Sequence, residues 1–177
     1  MTNISNLFNF IESNRPEYKA PIKVKLLYDP ESITKDDLNV KGDLNLSDTS
    51  ITTLPNGLTV GGDLNLFNTP ITTLPDNLTV GGGLYLSNTP ITSLPDNLTV
   101  GGYLDLSNTS ITTLPDNLTV GGGLSLYDTQ ITTIPDNLTV GGNLYLSNTP
   151  LSKQYSEDEI RKMIQDKGGN FEGYIYV

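Results

Sequence analysis

The chain has 177 residues, a formal net charge of -10 at pH 7, and neither cysteine nor histidine. The acidic balance argues against nucleic acid and anionic membranes as direct partners, because both are bound through clustered lysine and arginine. Without cysteine and histidine the chain lacks disulfides, the common transition-metal ligands and the usual catalytic bases and nucleophiles, so we expect no enzyme activity, no cofactor and no metal.

The first 42 residues predict a cap followed by an irregular coil. Apolar residues at helical spacing predict a helical cap over residues 1–21: Ile4, Leu7, Phe8 and Ile11. The alternation I-K-V-K-L from residue 22 predicts a strand in a degenerate first coil over residues 22–42. The first ten residues have no basic start and no continuous apolar stretch. We therefore expect a cytoplasmic protein without a signal peptide or a membrane span.

Near-copies of a 20-residue unit fill residues 43–150. One leucine marks the period in each unit: Leu44, Leu64, Leu84, Leu104, Leu124 and Leu144. A unit this short cannot close a core alone, so the array predicts a solenoid in which each coil covers the next. In each unit two leucines alternate with three other residues, as Leu64 and Leu66 do within residues 63–67. This alternation predicts one strand per coil, and the strands together form one parallel sheet.

Two polar columns repeat with the same period. Thr49 and its copies follow the predicted strand, where a short hydroxyl side chain can bond backbone groups of its own and the adjacent coil. A second column of aspartates follows the Leu-Pro pairs: Asp76, Asp96, Asp116 and Asp136. A metal-binding stripe is one interpretation of these aspartates, but the G-G-x-G-x-D spacing of calcium-binding β-helices is missing. Solvated turn carboxylates are the preferred interpretation.

The repeats end at Pro150, and residues 151–177 predict a C-terminal cap. Ser156 and Glu159 form a capping-box pattern at the start of a helix. Two glycines that follow can stop that helix, and residues 171–177 predict a last strand. The sequence therefore predicts a single domain, a β-rich (α/β) right-handed solenoid with a helical cap at each end.

The repeat unit also resembles a known family. The pattern L-x-L-x-x-T-x-I-x-x-L-P, read from Leu64 to Pro75, resembles the leucine-rich repeat in its short bacterial form of about twenty residues. Threonine replaces the usual asparagine at the bend, and L-T-V-G-G replaces a more extended outer segment. The segment L-P-D-N-L-T-V-G-G and the tail from Tyr155 to Val177 are similar to segments of repeat proteins of bacteriophages and their hosts. The resemblance implies a leucine-rich repeat fold that binds a protein on the concave face of its sheet.

The solvent side of the predicted strands varies most between units, and all five aromatic residues of the stretch 42–152 fall there. The same stretch has nine aspartates and no lysine or arginine. Strand propensity alone accounts for aromatic residues at such positions. The alternative is a recognition face for a protein with basic and apolar patches. The residues assigned to this face are Asp43, Asp63, Asn65, Phe67, Tyr85, Tyr103, Asp105, Tyr127, Asp128 and Tyr145.

The sequence therefore predicts a non-enzymatic solenoid that captures a protein partner. If a bacteriophage encodes the chain, the expected partner is a host or defence protein in the host cytoplasm, which the solenoid would inhibit. One alternative is binding of ice or another regular lattice, because threonines form even columns over residues 52–132 and 59–139. A third interpretation is a structural component of a phage particle. The oligomeric state is left open.

Overall fold

The computed structural model describes Asn14 and residues 20–96 and 98–177. The repeats form a β-solenoid, in which each unit adds one two-residue strand to each of two parallel sheets. The first, which we call the Thr-Val sheet, contains β1 (Asn39–Val40), β3 (Thr59–Val60), β5 (Thr79–Val80), β7 (Thr99–Val100), β9 (Thr119–Val120), β11 (Thr139–Val140) and β13 (Asn170–Phe171). The second, the Leu sheet, contains β2 (Leu44–Asn45), β4 (Leu64–Asn65), β6 (Leu84–Tyr85), β8 (Leu104–Asp105), β10 (Leu124–Ser125), β12 (Leu144–Tyr145) and β14 (Ile175–Tyr176).

The second sheet corrects the prediction of one parallel sheet. The L-T-V segment of each unit pairs with the same segment of the next unit, so that Thr59 aligns with Thr79. In the Leu sheet, Leu64 aligns with Leu84 in the same way. Because the period is constant, every extended segment meets its own copy in register, on whichever side of the coil it lies. The prediction was wrong because a Thr-Val pair between leucine and glycine is too short an alternation to indicate a strand.

The apolar residues of the repeat form one continuous core. In the unit over residues 61–80, all six apolar framework side chains are buried: Leu64, Leu66, Ile71, Leu74, Leu78 and Val80. The prediction that both leucines of each Leu-sheet segment point inward is confirmed. Each coil buries these side chains against its neighbours, so an isolated coil would leave two apolar faces in water.

At the Gly-Gly corner before the Leu-sheet strands from β4 to β12, the backbones of successive coils lie too close together for a side chain. A Cβ atom at Gly101 would lie 2.1 Å from the carbonyl oxygen of Gly81. The φ angle at these corner glycines is not in the left-handed region. Close approach of two backbones, and not a special turn conformation, therefore requires glycine here. The first copy of the position is Lys41, and no described strand pairs with the outer side of β1.

Among the described residues, two turns of the repeat unit use the left-handed backbone region. Asn68 has a φ of 53° and Asn77 a φ of 60°, and the first unit has Gly57 at the latter position. Asparagine, aspartate and glycine are the residues that tolerate this conformation best. Next to the first turn, the Thr69 hydroxyl donates a hydrogen bond of 2.8 Å to the Leu66 carbonyl. The prediction that this column bonds backbone groups of its own coil is confirmed from Thr49 to Thr129, whereas bonds to the adjacent coil stay a prediction.

Residues 22–28 form a helix, α1 (Ile22–Tyr28), and not the predicted strand. Leu26 is buried, and Ile22 and Leu27 pack against the core. A five-residue alternation does not exclude a helix, since Ile22 and Leu26 also lie one helical turn apart. A 3-10 turn follows at Pro30–Ser32. Apart from Asn14 and residues 20 and 21, the predicted N-terminal cap lies outside the described residues.

Two helices follow the last repeat, α2 (Pro150–Gln154) and α3 (Glu157–Asp166). At the start of α3, Ser156 and Glu159 form the predicted capping box. Buried Ile160 and Ile164 attach α3 to the core. The chain then adds β13 to the Thr-Val sheet and β14 to the Leu sheet. The last strand predicted over residues 171–177 is therefore divided between the two sheets.

A buried ion pair joins α1 to the first coil. The Lys25 ammonium lies 3.0 Å from a carboxylate oxygen of Asp37, and the same oxygen accepts from the Thr34 N–H and hydroxyl. Burial raises the pKa of Asp37, but the bonds from Thr34 and the charge of Lys25 outweigh it. The pKa of Asp37 therefore lies below its ordinary value of 3.8.

We expect Asp37→Asn to destabilise the protein near neutral pH but not in acid. A carboxyl whose pKa is lowered by folding stabilises the fold above its unfolded pKa, and this contribution is lost as the pH falls through its folded pKa. The free energy of unfolding, from urea denaturation at each pH, should favour the wild type above pH 3.8 and converge with the variant below it. A difference that persists unchanged at about pH 2 would contradict the assignment.

The contacts at the Gly-Gly corner predict that the same glycine-to-alanine substitution destabilises one coil much more than another. A Cβ atom at Gly102 would lie 2.8 Å from the carbonyl carbon of Gly82, whereas one at Gly42, the same repeat position, meets nothing within 4 Å. Gly102→Ala should lower the free energy of unfolding by about 1–3 kcal/mol or more, and Gly42→Ala should change it by no more than about 0.5 kcal/mol. Urea denaturation followed by circular dichroism measures both. Equal effects would show that coil contact does not explain the glycine.

Candidate protein-binding surface

The outward positions of the Leu sheet form three columns across the coils, and adjacent strands of a sheet lie about 4.8 Å apart. The first column precedes each strand: Asp43, Asp63, Gly83, Tyr103, Gly123, Asn143 and Tyr174. The second column is the second residue of each strand: Asn45, Asn65, Tyr85, Asp105, Ser125, Tyr145 and Tyr176. The third column lies two residues further on: Ser47, Phe67, Ser87, Ser107, Tyr127 and Ser147.

Four tyrosine rings from the first two columns form a continuous row across the sheet. We call this the tyrosine row: Tyr85, Tyr103, Tyr145 and Tyr176. The centroids of Tyr85 and Tyr103 lie 6.3 Å apart, and those of Tyr103 and Tyr145 lie 6.5 Å apart. Tyr145 and Tyr176 stack at 4.9 Å with an interplanar angle of 5°. All three separations are those of favourable aromatic pairs.

Small residues between the tyrosines allow the rings to meet. The ring of Tyr85 takes the space of a side chain at Gly83, since a Cβ atom there would lie 2.8 Å from Tyr85 Cε2. Gly123 leaves room for Tyr103 in the same way, with a separation of 3.1 Å from Cδ2. The coil of Gly123 also has buried Ser125 in the second column. Tyr103 and Tyr145 therefore reach each other across a coil that has only small side chains in these columns.

The surroundings of Tyr85 and Tyr103 disfavour ionised phenols. Burial raises the pKa of Tyr85, and the carboxylates of Asp63, Asp105 and Asp43 raise it further. Burial also raises the pKa of Tyr103, although a hydrogen bond with the Ser125 hydroxyl opposes the shift. The rings of Tyr85 and Tyr103 are therefore uncharged at neutral pH and lie close to negative charges, an arrangement that attracts cations.

The acidic residues of the first column link successive coils. The Asp43 carboxylate accepts the backbone N–H of Asp63 at 2.9 Å, and the Asp63 carboxylate accepts that of Gly83 at 2.6 Å. Asn143 makes the same kind of bond to the N–H of Tyr174. Each of these side chains has a structural role that sequence reasoning missed. A partner contact by the second carboxylate oxygen of Asp43 or Asp63 stays a prediction.

Three other predicted residues also make framework bonds. The side-chain oxygens of Asn65 and Asp105 accept the backbone N–H two residues further on, at 2.9 and 3.0 Å. Asp128 lies in the left-handed region with a φ of 55° and accepts from the side-chain amide of Asn148. These contacts are typical of Asx turns and of side-chain ladders between repeats. They account for polar residues at these positions without a partner.

The five predicted aromatic residues do not form one group. Tyr85, Tyr103 and Tyr145 come together in the tyrosine row, whereas Phe67 and Tyr127 lie in the third column and are 37% and 47% exposed. Tyr176 belongs to the row, although the sequence analysis did not assign it. Its signal was the alternation Y-I-Y-V, which matches the outward and inward positions of the repeat.

Two aspartates of the column that follows the Leu-Pro pairs, Asp116 and Asp136, also make structural contacts. Asp116 accepts the backbone N–H of Asp136 at 2.9 Å, and Asp136 lies 2.7 Å from the ammonium of Lys167. Within the described residues, no group of three or more acidic, histidine or cysteine side chains is arranged to hold a metal ion. In the same part of the chain, no helix combines the length and apolar character needed to cross a membrane.

Comparison of the chain with protein families, with curated proteins and with solved structures gives no match.

We expect Asp63→Asn to lower the pKa of Tyr85 toward its ordinary value of 10.0, because the substitution removes a nearby negative charge. The amide oxygen of asparagine can still accept the N–H of Gly83. Asp116→Asn is the matched control, since Asp116 also accepts an N–H of the next coil but does not act on Tyr85. The measurement is a carbon NMR titration of labelled tyrosines, with Tyr85→Phe for assignment. An unchanged Tyr85 pKa in Asp63→Asn would place this carboxylate too far from the ring to act on it.

Proposed function

We propose that this chain is a non-enzymatic binding protein of the leucine-rich repeat type, a right-handed solenoid with helices closing its ends. In this proposal it captures another protein on the exposed side of the Leu sheet. The observation that supports the proposal is the tyrosine row. Its aromatic rings are partly exposed, and they contact one another because small residues leave space beside them. Rigid tyrosines with little side-chain entropy to lose are typical anchors of protein interfaces.

The charge of the surface indicates the kind of partner. Residues 42–152 have nine aspartates and no lysine or arginine, and three of these aspartates raise the pKa of Tyr85. A partner with basic and apolar patches complements such a surface, and electrostatic attraction speeds its encounter. If a bacteriophage encodes the chain, we propose that it inhibits a host or defence protein in the host cytoplasm by covering a basic surface.

The alternative is binding of a regular lattice such as ice, and one observation favours it. The threonines of the Thr-Val sheet align in register from Thr59 through Thr79 and Thr99 to Thr139. These hydroxyl side chains therefore repeat at the strand spacing of about 4.8 Å. Each strand of this sheet contributes only one threonine to the outer face, however, because the next outward residue is glycine.

The proposed function predicts that partner capture depends on the tyrosine row. Replacing Tyr85, Tyr103 and Tyr145 with alanine should abolish stoichiometric capture of a specific protein from host lysate, measured by quantitative mass spectrometry. Tyr28→Ala is the control, because Tyr28 is an exposed tyrosine at the end of α1, outside the proposed binding surface. A circular dichroism melt confirms that both variants fold. Equal capture by the wild type and the triple variant would refute this site.

The lattice alternative makes a separate prediction. If the chain binds ice, the wild type should show thermal hysteresis, and replacing Thr79, Thr99 and Thr119 with lysine should abolish it. The variant with alanine at Tyr85, Tyr103 and Tyr145 should keep it. This combination of results would favour ice binding over protein capture.

A further inference from the structure

We infer that the tyrosine row binds an extended segment of its partner in which lysine or arginine alternates with other residues. The inference rests on the proposed function and specifies the chemistry of the partner. In this arrangement the segment lies across the coils, and its cationic side chains each contact one of the first three rings of the row. The fourth ring, Tyr176, stacks on Tyr145 at 4.9 Å and is outside this spacing.

The ring spacing carries the argument. Successive centroids of Tyr85, Tyr103 and Tyr145 lie 6.3 and 6.5 Å apart. In an extended chain, side chains on one face repeat every second residue, at about 6.6 Å. The two spacings agree to within a few tenths of an ångström. An extended segment therefore places residues i, i+2 and i+4 over three successive rings without sliding out of register.

The charge near the first ring selects cationic side chains. Tyr85, together with Asp43, Asp63, Asn45 and Asn65, lines a recess of about 170 Å³. This volume is several times the share of one water molecule in the liquid, about 30 Å³, and leaves room for a guanidinium or ammonium group. Aromatic rings attract such groups through their negative faces, and the two carboxylates add to the attraction.

The direction of the row excludes main-chain pairing as the source of specificity. A segment that crosses the strands of the Leu sheet cannot extend that sheet, because the backbone groups of its inner strands already bond their neighbours. Side chains alone must therefore determine the affinity. The spacing of cationic residues, and not merely their number, should decide how tightly a segment binds.

Two labelled peptides of the same composition test this inference. One has arginine at every second residue, RSRSRSS, and the other at every third residue, RSSRSSR. On an extended chain the first places three arginines over the row, whereas successive arginines of the second point to opposite sides. Fluorescence anisotropy at low ionic strength should show about 5- to 30-fold tighter binding of the first peptide, which corresponds to two cation–π contacts.

Variants of the protein locate the effect. Tyr85→Leu, Tyr103→Leu and Tyr145→Leu together should remove the preference, because leucine keeps an apolar side chain but has no aromatic face. Tyr28→Leu is the matched control and should retain the preference, because Tyr28 is an exposed ring at the end of α1, outside the Leu sheet. Circular dichroism melts check that the variants fold. If the triple variant unfolds, Tyr103→Leu alone replaces it and should show an intermediate preference between the two peptides.

Several outcomes would overturn the inference. Equal affinity for both peptides, or no binding of either, would mean that the row does not read the spacing of cations. A preference that survives in the leucine variants would place the site elsewhere. Row-dependent capture from lysate combined with equal peptide affinities would leave the proposed function standing and remove only this inference.

Discussion

Contact between backbones at the Gly-Gly corner is the constraint on which the rest of the structure depends. There each coil lies so close to the one before it that a Cβ atom at Gly101 would overlap the carbonyl oxygen of Gly81. This contact fixes the translation from one coil to the next and leaves no freedom for a one-residue slip. Because the period is constant, the register set at the corner holds for both sheets and for the turns. Lys41 is consistent with this constraint. It occupies the same repeat position as Gly101, and no described strand pairs with the outer side of β1, so its side chain meets no preceding coil among the described residues.

Fixed register converts each position of the repeat into a column, and a column can be used in two ways. Identical polar residues form ladders, as Asn137 donates to the side-chain oxygen of Asn117 on the preceding coil. Alternation of large and small residues instead lets a large side chain lean over a neighbouring position. Tyr103 leans over Gly123 in this way and meets Tyr145 two coils along the sheet. The tyrosine row therefore depends as much on the glycines as on the rings.

Much of the fold followed from the sequence, because the period and the inward leucines are properties of the repeat itself. The second sheet and α1 did not, since two-residue strands and a seven-residue helix leave patterns too short to separate strand from helix. Side-chain alternation correctly placed Tyr85 on the outward side of the Leu sheet. It could not group Tyr85 with Tyr103 and separate both from Tyr127, because this depends on which small residues lie beside each ring. Nor could it show that Asp63 also bonds the next coil.

The framework bonds do not explain why so many of these side chains are charged. The carboxylate of Asp43 and the amide of Asn143 make the same bond to the next coil in the first column. Asp105 and Asn65 make the same Asx turn in the second column. In these two columns an asparagine thus makes the same backbone bond as an aspartate, and without adding repulsion between like charges along the array. The fold uses a side-chain oxygen at these positions where one is present, but it depends neither on that oxygen, which Gly83 and Gly123 lack in the first column, nor on a negative charge. The negative charge at these positions is what the proposed basic partner would contact, and the bonds between coils do not depend on it.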